Sequence, residues 1–236
     1  MRYTGARVGR LYRYPVKSMV GEEQTALTVD KRGVTGDRLW SVRTVENKIG
    51  SGKASRRFAA IPRLLTLRAR TADAGVLIDL PTGEELAPDD PAVTDALSAY
   101  LGQPVTMARE TDVSHFDDGP LSLIGSASVA ALSNEIGADV DMRRFRANII
   151  VDGLPPFAED NLVGRRINIG EVALDVLVRS PRCVMIDMET ADLPAQPGNL
   201  RGVGRVREAC LGVIARVVAP GQINVGDELV VPPRVR

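Results

Sequence analysis

The chain has 236 residues, 44% of them hydrophobic, and its 30 Lys and Arg are balanced by 30 Asp and Glu. That length suits one large domain or two small ones with a real core, and the charge balance excludes the global basic field by which proteins hold nucleic acid or an anionic membrane surface. Two cysteines do not make a disulfide framework. The Arg-rich first residues carry no export-type apolar region and no membrane-length apolar run occurs, so a cytoplasmic protein without nucleic-acid or membrane partners is expected.

Brief runs of β-branched and aromatic residues, separated by Gly, Pro and Asp, predict strands over residues 7–14, 24–29, 38–44, 64–70 and 76–80, with a turn at Pro81-Thr82-Gly83. The glycines of Lys31-Arg32-Gly33-Val34-Thr35-Gly36-Asp37 suit tight turns that need positive φ. Gly50-Ser51-Gly52-Lys53-Ala54-Ser55 lacks the spacing of a phosphate-binding loop and reads as a flexible loop overhanging a cleft. From Pro91 the apolar spacing becomes helical and runs to Leu101, with Gly102 as the stop. His115 is the only histidine; it cannot build a zinc site or a triad alone and is read as a loop residue. A second helix is predicted over residues 127–136, with Ser126 as N-cap and Gly137 as stop. Strand texture returns over residues 146–151, 166–169, 172–178, 211–218 and 228–231, whereas residues 191–204, rich in Pro and Gly, read as a long loop of the kind that borders active sites. The expected fold is mainly β with a few helices (α+β): a barrel-like unit over residues 1–105 packed on a second, mainly β unit over residues 106–236.

The run Arg179-Ser180-Pro181-Arg182-Cys183 sets a thiol beside guanidinium groups. Such a field favours the thiolate and can bring a cysteine into the ~3.5–7.5 pKa range of activated thiols. A buried structural thiol is the other reading, and it is the one expected of Cys210. If residues 182–187 are extended, Cys183, Met185 and Asp187 share one face. Met185 and Met188 read as packing residues.

Three segments in order carry a resemblance: Tyr14-Pro15-Val16-Lys17-Ser18; Gly33-Val34-Thr35-Gly36-Asp37-Arg38-Leu39-Trp40; and Arg146-Ala147-Asn148-Ile149-Ile150-Val151-Asp152-Gly153 followed by Pro156-Phe157-Ala158-Glu159-Asp160. With Ser180-Pro181-Arg182-Cys183 and the closing stretch from Cys210, they resemble the MOSC family, in particular its stand-alone bacterial members and the mitochondrial amidoxime-reducing component. The resemblance implies an N-terminal β-barrel-like domain packed on a MOSC β-barrel core. It also implies a molybdenum cofactor, Mo-molybdopterin, with Cys183 as the protein's ligand to the metal; a soft thiolate suits such a centre. Lys17, Ser18, Arg38, Arg146, Asn148, Ser180 and Arg182 are thereby assigned to the pterin and its phosphate, a dianion that needs ammonium, guanidinium, hydroxyl and backbone donors brought together. Ser126 and Ser128 at a helix start offer a further donor site. Asp187 is a candidate proton relay or a solvated strand-end carboxylate.

The implied reaction is reduction of N-hydroxylated compounds such as amidoximes and hydroxylamines. Electrons are expected from a separate ferredoxin-, flavin- or cytochrome-type protein, because the sequence holds no Cys-rich iron–sulfur module. Reducing relatives often read Cys-Ser-Arg-Cys and then a Thr pair; here Val184, Met185 and Ile186 follow Cys183, and loss of the Thr pair, whether replaced by Met185 and Ile186 or deleted, is expected to make the pocket wall more apolar. Two other readings stay open: a carrier of persulfide sulfur or of molybdenum cofactor, and a metal-free member that cleaves C–S bonds or binds an anionic ligand.

Overall fold

The computed structural model describes residues 3–233. Strand β1 (Arg7–Arg13) buries Val8, Leu11 and Tyr12 and turns Arg7 and Arg10 outward, as a half-buried strand does. It is followed by β2 (Glu22–Gln24), β3 (Ala26–Asp30), β4 (Gly33–Val34), β5 (Trp40–Thr44), β6 (Ile49–Ser51), β7 (Phe58–Ala60), β8 (Arg68–Ala72), β9 (Gly75–Asp79), β10 (Glu85–Leu86), α1 (Val93–Leu101) and β11 (Val105–Arg109). The rest runs β12 (Leu121–Gly125), α2 (Ser126–Ile136), β13 (Ile149–Asp152), β14 (Arg166–Ile169), β15 (Val172–Pro181), α3 (Asn199–Arg207), β16 (Cys210–Ala219), β17 (Gly221–Asn224) and β18 (Leu229–Val230). The class is the mainly β, α+β arrangement expected.

An eight-stranded sheet in the order β18-β14-β15-β16-β12-β13-β1-β2 dominates the molecule. The two strands that open the chain therefore belong to the sheet of its second half, with β1 antiparallel to β13. Strand β3 likewise pairs with β17. Strand β11, which begins at the boundary expected at residue 105, pairs with β5 in a four-stranded sheet. One apolar core lies under the large sheet and includes Leu11, Leu27, Leu123, Ile149 and Val213. A second joins Val16, Met19, Val42 and Leu64 to α1 through Leu97, and a third seats α2 and α3 through Leu132 and Val203.

Several local expectations change. Residues 64–70 divide into a 3-10 turn, Pro62–Thr66, started by a proline in its first turn, and β8. Ile49, Gly50 and Ser51 are buried strand, not flexible loop, because a bare Gly50 lets Leu64 approach: a Cβ there would lie 2.8 Å from its Cδ1. Strand β12 is buried at every position, so it shows no alternation to read. The long loop expected over residues 191–204 gives way to α3 from Asn199; a Cβ on its Gly202 would lie 2.3 Å from Cγ2 of Ile136 on α2, so the glycine is where the two helices touch. Gly102 and Gly137 end α1 and α2 in the left-handed conformation, as anticipated.

Candidate functional site

Backbone hydrogen bonds zip the motif segments together at the end of β1. Arg38 N–H donates to Tyr14 O at 2.6 Å, Trp40 N–H to Pro15 O at 3.2 Å and Lys17 N–H to Trp40 O at 2.8 Å. On the other side of β1, Tyr12 N–H donates to Asn148 O at 2.8 Å and Asn148 Nδ2 to Tyr12 O at 3.3 Å. Asp37 is fully buried; its Oδ1 accepts Tyr14 N–H at 2.7 Å and its other oxygen pairs with the Arg38 guanidinium. Arg182 donates to Leu211 O and to Phe145 O, both at 2.8 Å, and so ties the end of β15 to the turn that carries Arg146.

Ser18, Arg38 and Arg146 all hold left-handed backbone, at φ of 67°, 52° and 51°. Each such non-glycine residue costs about 1–3 kcal/mol, and strain of this kind gathers at functional sites. The three segments enclose a cavity of about 100 Å³. Eight of the eleven candidate site residues read from the sequence line it: Lys17, Ser18, Arg38, Arg146, Asn148, Ser180, Arg182 and Cys183.

The cavity is cationic. Lys17, Arg38, Lys53, Arg144, Arg146 and Arg182 face two carboxylates, Asp117 and Asp118. Lys17 is 2% exposed, donates to Asp117 at 2.6 Å and lies over the Phe58 ring. Burial, only partly offset by Asp117, pulls its ammonium down to about 8. Burial and then the neighbouring Arg38 pull Arg146 down to about 10. Arg38 and Arg146 both lie against the Tyr14 ring, at 4.8 and 4.5 Å. The decisive atoms are Ser18 Oγ and Arg146 Nη2, which are buried with no hydrogen-bond partner. Buried polar atoms are nearly always paired, so two orphaned donors among surplus cations mark the place of an anionic or hydrogen-bond-accepting ligand.

Cys183 is partly exposed and lines the cavity immediately before a 3-10 turn, Val184–Asp187. Residues 182–187 are thus not extended, and the face expected to join Cys183, Met185 and Asp187 does not form. The turn carries Asp187 out of the cavity lining, where its carboxylate accepts Leu200 N–H at 2.9 Å in the first turn of α3, a place that favours negative charge. Arg179 is also outside the lining and pairs with Asp160 and Glu208, which leaves Arg182 as the guanidinium beside the thiol. Ser126 is the first residue of α2 and not its cap, and its hydroxyl donates to Val151 O. The start of α2 is already occupied: buried Glu159 accepts Gly125 N–H at 3.2 Å and the Ser128 hydroxyl at 2.7 Å, so neither serine joins the cavity. Cys210 sits opposite Pro181, half-buried and not a core thiol.

Sequence reasoning missed Asp117, Asp118 and Arg144. The Asp-Asp-Gly step after His115 was the available signal for the first two, and proximity to Arg146 for the third. His115 is fully buried, and its imidazole is pulled down to about 4 by burial and by Arg43. A second cavity, of about 510 Å³, shares Arg144, Arg146 and Met185 with the first and is walled by the stacked Tyr12 and Tyr14 rings.

Residues 5–111 match the family model described as the MOSC N-terminal beta barrel domain, and residues 110–230 match that of the MOSC domain. The chain belongs to the MOSC family. Among curated relatives, this MOSC chain is 28% identical over 204 residues to molybdenum cofactor sulfurase of Caenorhabditis briggsae, covering 76% of the chain and 28% of the relative. It is 33% identical over 78 residues to mitochondrial amidoxime reducing component 2 of Rattus norvegicus, covering 33% of the chain and 22% of the relative. It therefore aligns with under a third of the length of either. The crystal structure of the YUAD protein from Bacillus subtilis has the same fold, with a TM-score of 0.53 at 18% identity, over 95% of this chain and 93% of that one.

Among the described residues no three His, Cys, Asp or Glu side chains cluster so as to hold a metal by themselves. A metal at Cys183 would have to arrive with ligands of its own, which suits a dithiolene-held molybdenum, and the orphaned donors suit its phosphate. Among the same residues no helix is long and apolar enough to cross a membrane.

Proposed function

We propose that this MOSC chain holds molybdenum cofactor in the cationic cavity and reduces N-hydroxylated compounds such as amidoximes and hydroxylamines. Cys183 is the protein's ligand to the metal; Lys17, Ser18, Arg38, Arg146, Asn148, Ser180 and Arg182 surround the pterin and its phosphate. One observation carries this reading: the buried, unpartnered Ser18 Oγ and Arg146 Nη2 belong to residues that line the same cavity as Cys183. A phosphate dianion supplies acceptors for both and offsets the surplus positive charge. The cavity is phosphate-sized, and the larger one beside it falls in the ~300–1,000 Å³ range of small-molecule sites, leaving room for the rest of a ligand.

When bound, the cofactor supplies two-electron chemistry at a sulfur-ligated metal. Overall, an N–OH group, two electrons and two protons become N–H and water, with the electrons from a separate ferredoxin-, flavin- or cytochrome-type protein. Lys17, whose ammonium is poised at about 8, holds a proton at Nζ within the cavity. Met185 and Ile186 give the cavity an apolar wall that favours apolar substrates. A reducing cytoplasm keeps Cys183 and Cys210 as thiols.

The test is metal and pterin content of protein from a cofactor-competent host, beside Cys183→Ala, followed by hydroxylamine reduction with a chemical donor. Near-stoichiometric molybdenum that the variant loses, together with turnover, supports the reading; protein devoid of both metal and pterin overturns it and favours the metal-free anion binder. A carrier of persulfide or cofactor is the second reading, favoured by the broad match to cofactor sulfurases, 76% and 84% of the chain in two cases. Bound cofactor without turnover, or a persulfide mass on Cys183, would select it.

A further inference from the structure

Arg38 must keep a left-handed backbone while presenting its guanidinium to the cavity, and both carbonyls that flank its Cα are gripped from outside. Asp37 O accepts from Arg32 Nη1 at 2.7 Å, and Arg38 O lies 3.0 Å from Nδ1 of His115. A carbonyl only accepts, so Nδ1 carries a proton. On the far side of the ring, Nε2 lies 3.1 Å from Arg43 Nη2, which only donates, and 3.1 Å from Ser41 Oγ. Nε2 therefore presents its lone pair, and one neutral tautomer is selected. Protonation would set a second cation against Arg43, with Lys17 adding to the repulsion and Glu110 opposing it. The main chain of His115 is fixed too: its N–H donates to Glu110 Oε2 at 2.8 Å, and Glu110 receives both Nε and Nη2 of Arg32 at 2.6 and 2.7 Å. The circuit closes, since Arg32 holds the Asp37 carbonyl and Glu110, Glu110 holds His115, and His115 holds the Arg38 carbonyl.

We propose that His115 is a positioning residue for the anion-binding Arg38: its Nδ1–H pins the Arg38 carbonyl and fixes the left-handed backbone that directs the guanidinium into the cavity. The inference rests on the cavity being an anion site. His115 is the only histidine in the sequence, so nitrogen NMR shows a single imidazole and reports its tautomer without assignment. A proton on Nδ1 is expected; a proton on Nε2 overturns the proposal.

The functional arm measures inorganic phosphate binding by calorimetry, using the full chain from a host that makes no molybdenum cofactor. His115→Asn places an amide N–H near Nδ1, whereas His115→Gln places its amide near Nε2. The Asn variant is expected to stay close to wild type, and the Gln and Ala variants to weaken binding about tenfold, the scale of one misdirected charge-assisted hydrogen bond. Asn and Gln variants of equal affinity would sink the proposal, and their melting temperatures separate lost positioning from lost folding. Wild-type protein that binds no phosphate brings down the anion-site reading itself, while the tautomer still reports whether the clamp exists.

Discussion

Lys17 keeps an ammonium group where water scarcely reaches, and that placement has a pH signature. Its value falls from 10.5 to about 8 on folding, mainly through burial. Below the folded value both states carry the proton and the whole desolvation cost is present. Between about 8 and 10.5 the folded chain binds fewer protons than the unfolded one, so stability rises with pH, by up to ~1.4 kcal/mol per unit from this group alone. Lys17→Met is expected to flatten that rise, read as urea midpoints across the window; parallel curves for wild type and variant would mean the ammonium is solvated. The partner Asp117 stands 100 residues away along the chain. The motif around Lys17 was legible in sequence, whereas the carboxylate that tempers its charge was not, because nothing local marks a contact made only when two distant loops meet.

Helix α3 owes its place to a contact with α2 rather than to its own composition. Gly202 and Gly204 both lower its intrinsic tendency to be helical, which is why the segment reads as loop. Their surroundings differ sharply. A Cβ at Gly202 would meet Ile136 at 2.3 Å, while one at Gly204 would meet nothing within 4 Å. Gly204→Ala is therefore expected to stabilise the protein by up to about 1 kcal/mol through helix propensity. For Gly202→Ala the same gain is outweighed by overpacking, which costs roughly 1–3 kcal/mol. Thermal melts of the two variants should move in opposite directions; a shared upward shift would show that the helices have room to part.

The large sheet makes the two halves of the chain interdependent. Strand β1 lies between β13 and β2, and β3 pairs with β17, so residues 110–230 expressed alone would expose the edge of β13 and uncover apolar core. That fragment is expected to lack a cooperative unfolding transition and to regain it on co-expression with residues 1–111, measured by near-ultraviolet circular dichroism against denaturant. A fragment that unfolds cooperatively on its own would contradict this. The cavity lies at the same junction, with Lys17, Ser18 and Arg38 from one half and Arg146, Asn148, Ser180 and Cys183 from the other.

The class of the fold and the stops of α1 and α2 were already determined by the amino-acid sequence, because alternating apolar residues and terminal glycines act through neighbours in the chain; Lys17, Ser18, Arg38, Arg146, Asn148, Ser180, Arg182 and Cys183 of the cavity lining were reached through the ordered motifs that resemble the MOSC family. Tertiary structure alone decided that Asp187 and Ser126 lie outside the cavity, that Glu159 occupies the start of α2, that Asp117 and Arg144 face the site and that His115 is buried. Each of those outcomes depends on which polar or charged group finds a partner, and a partner remote in sequence becomes available only once the sheet has closed.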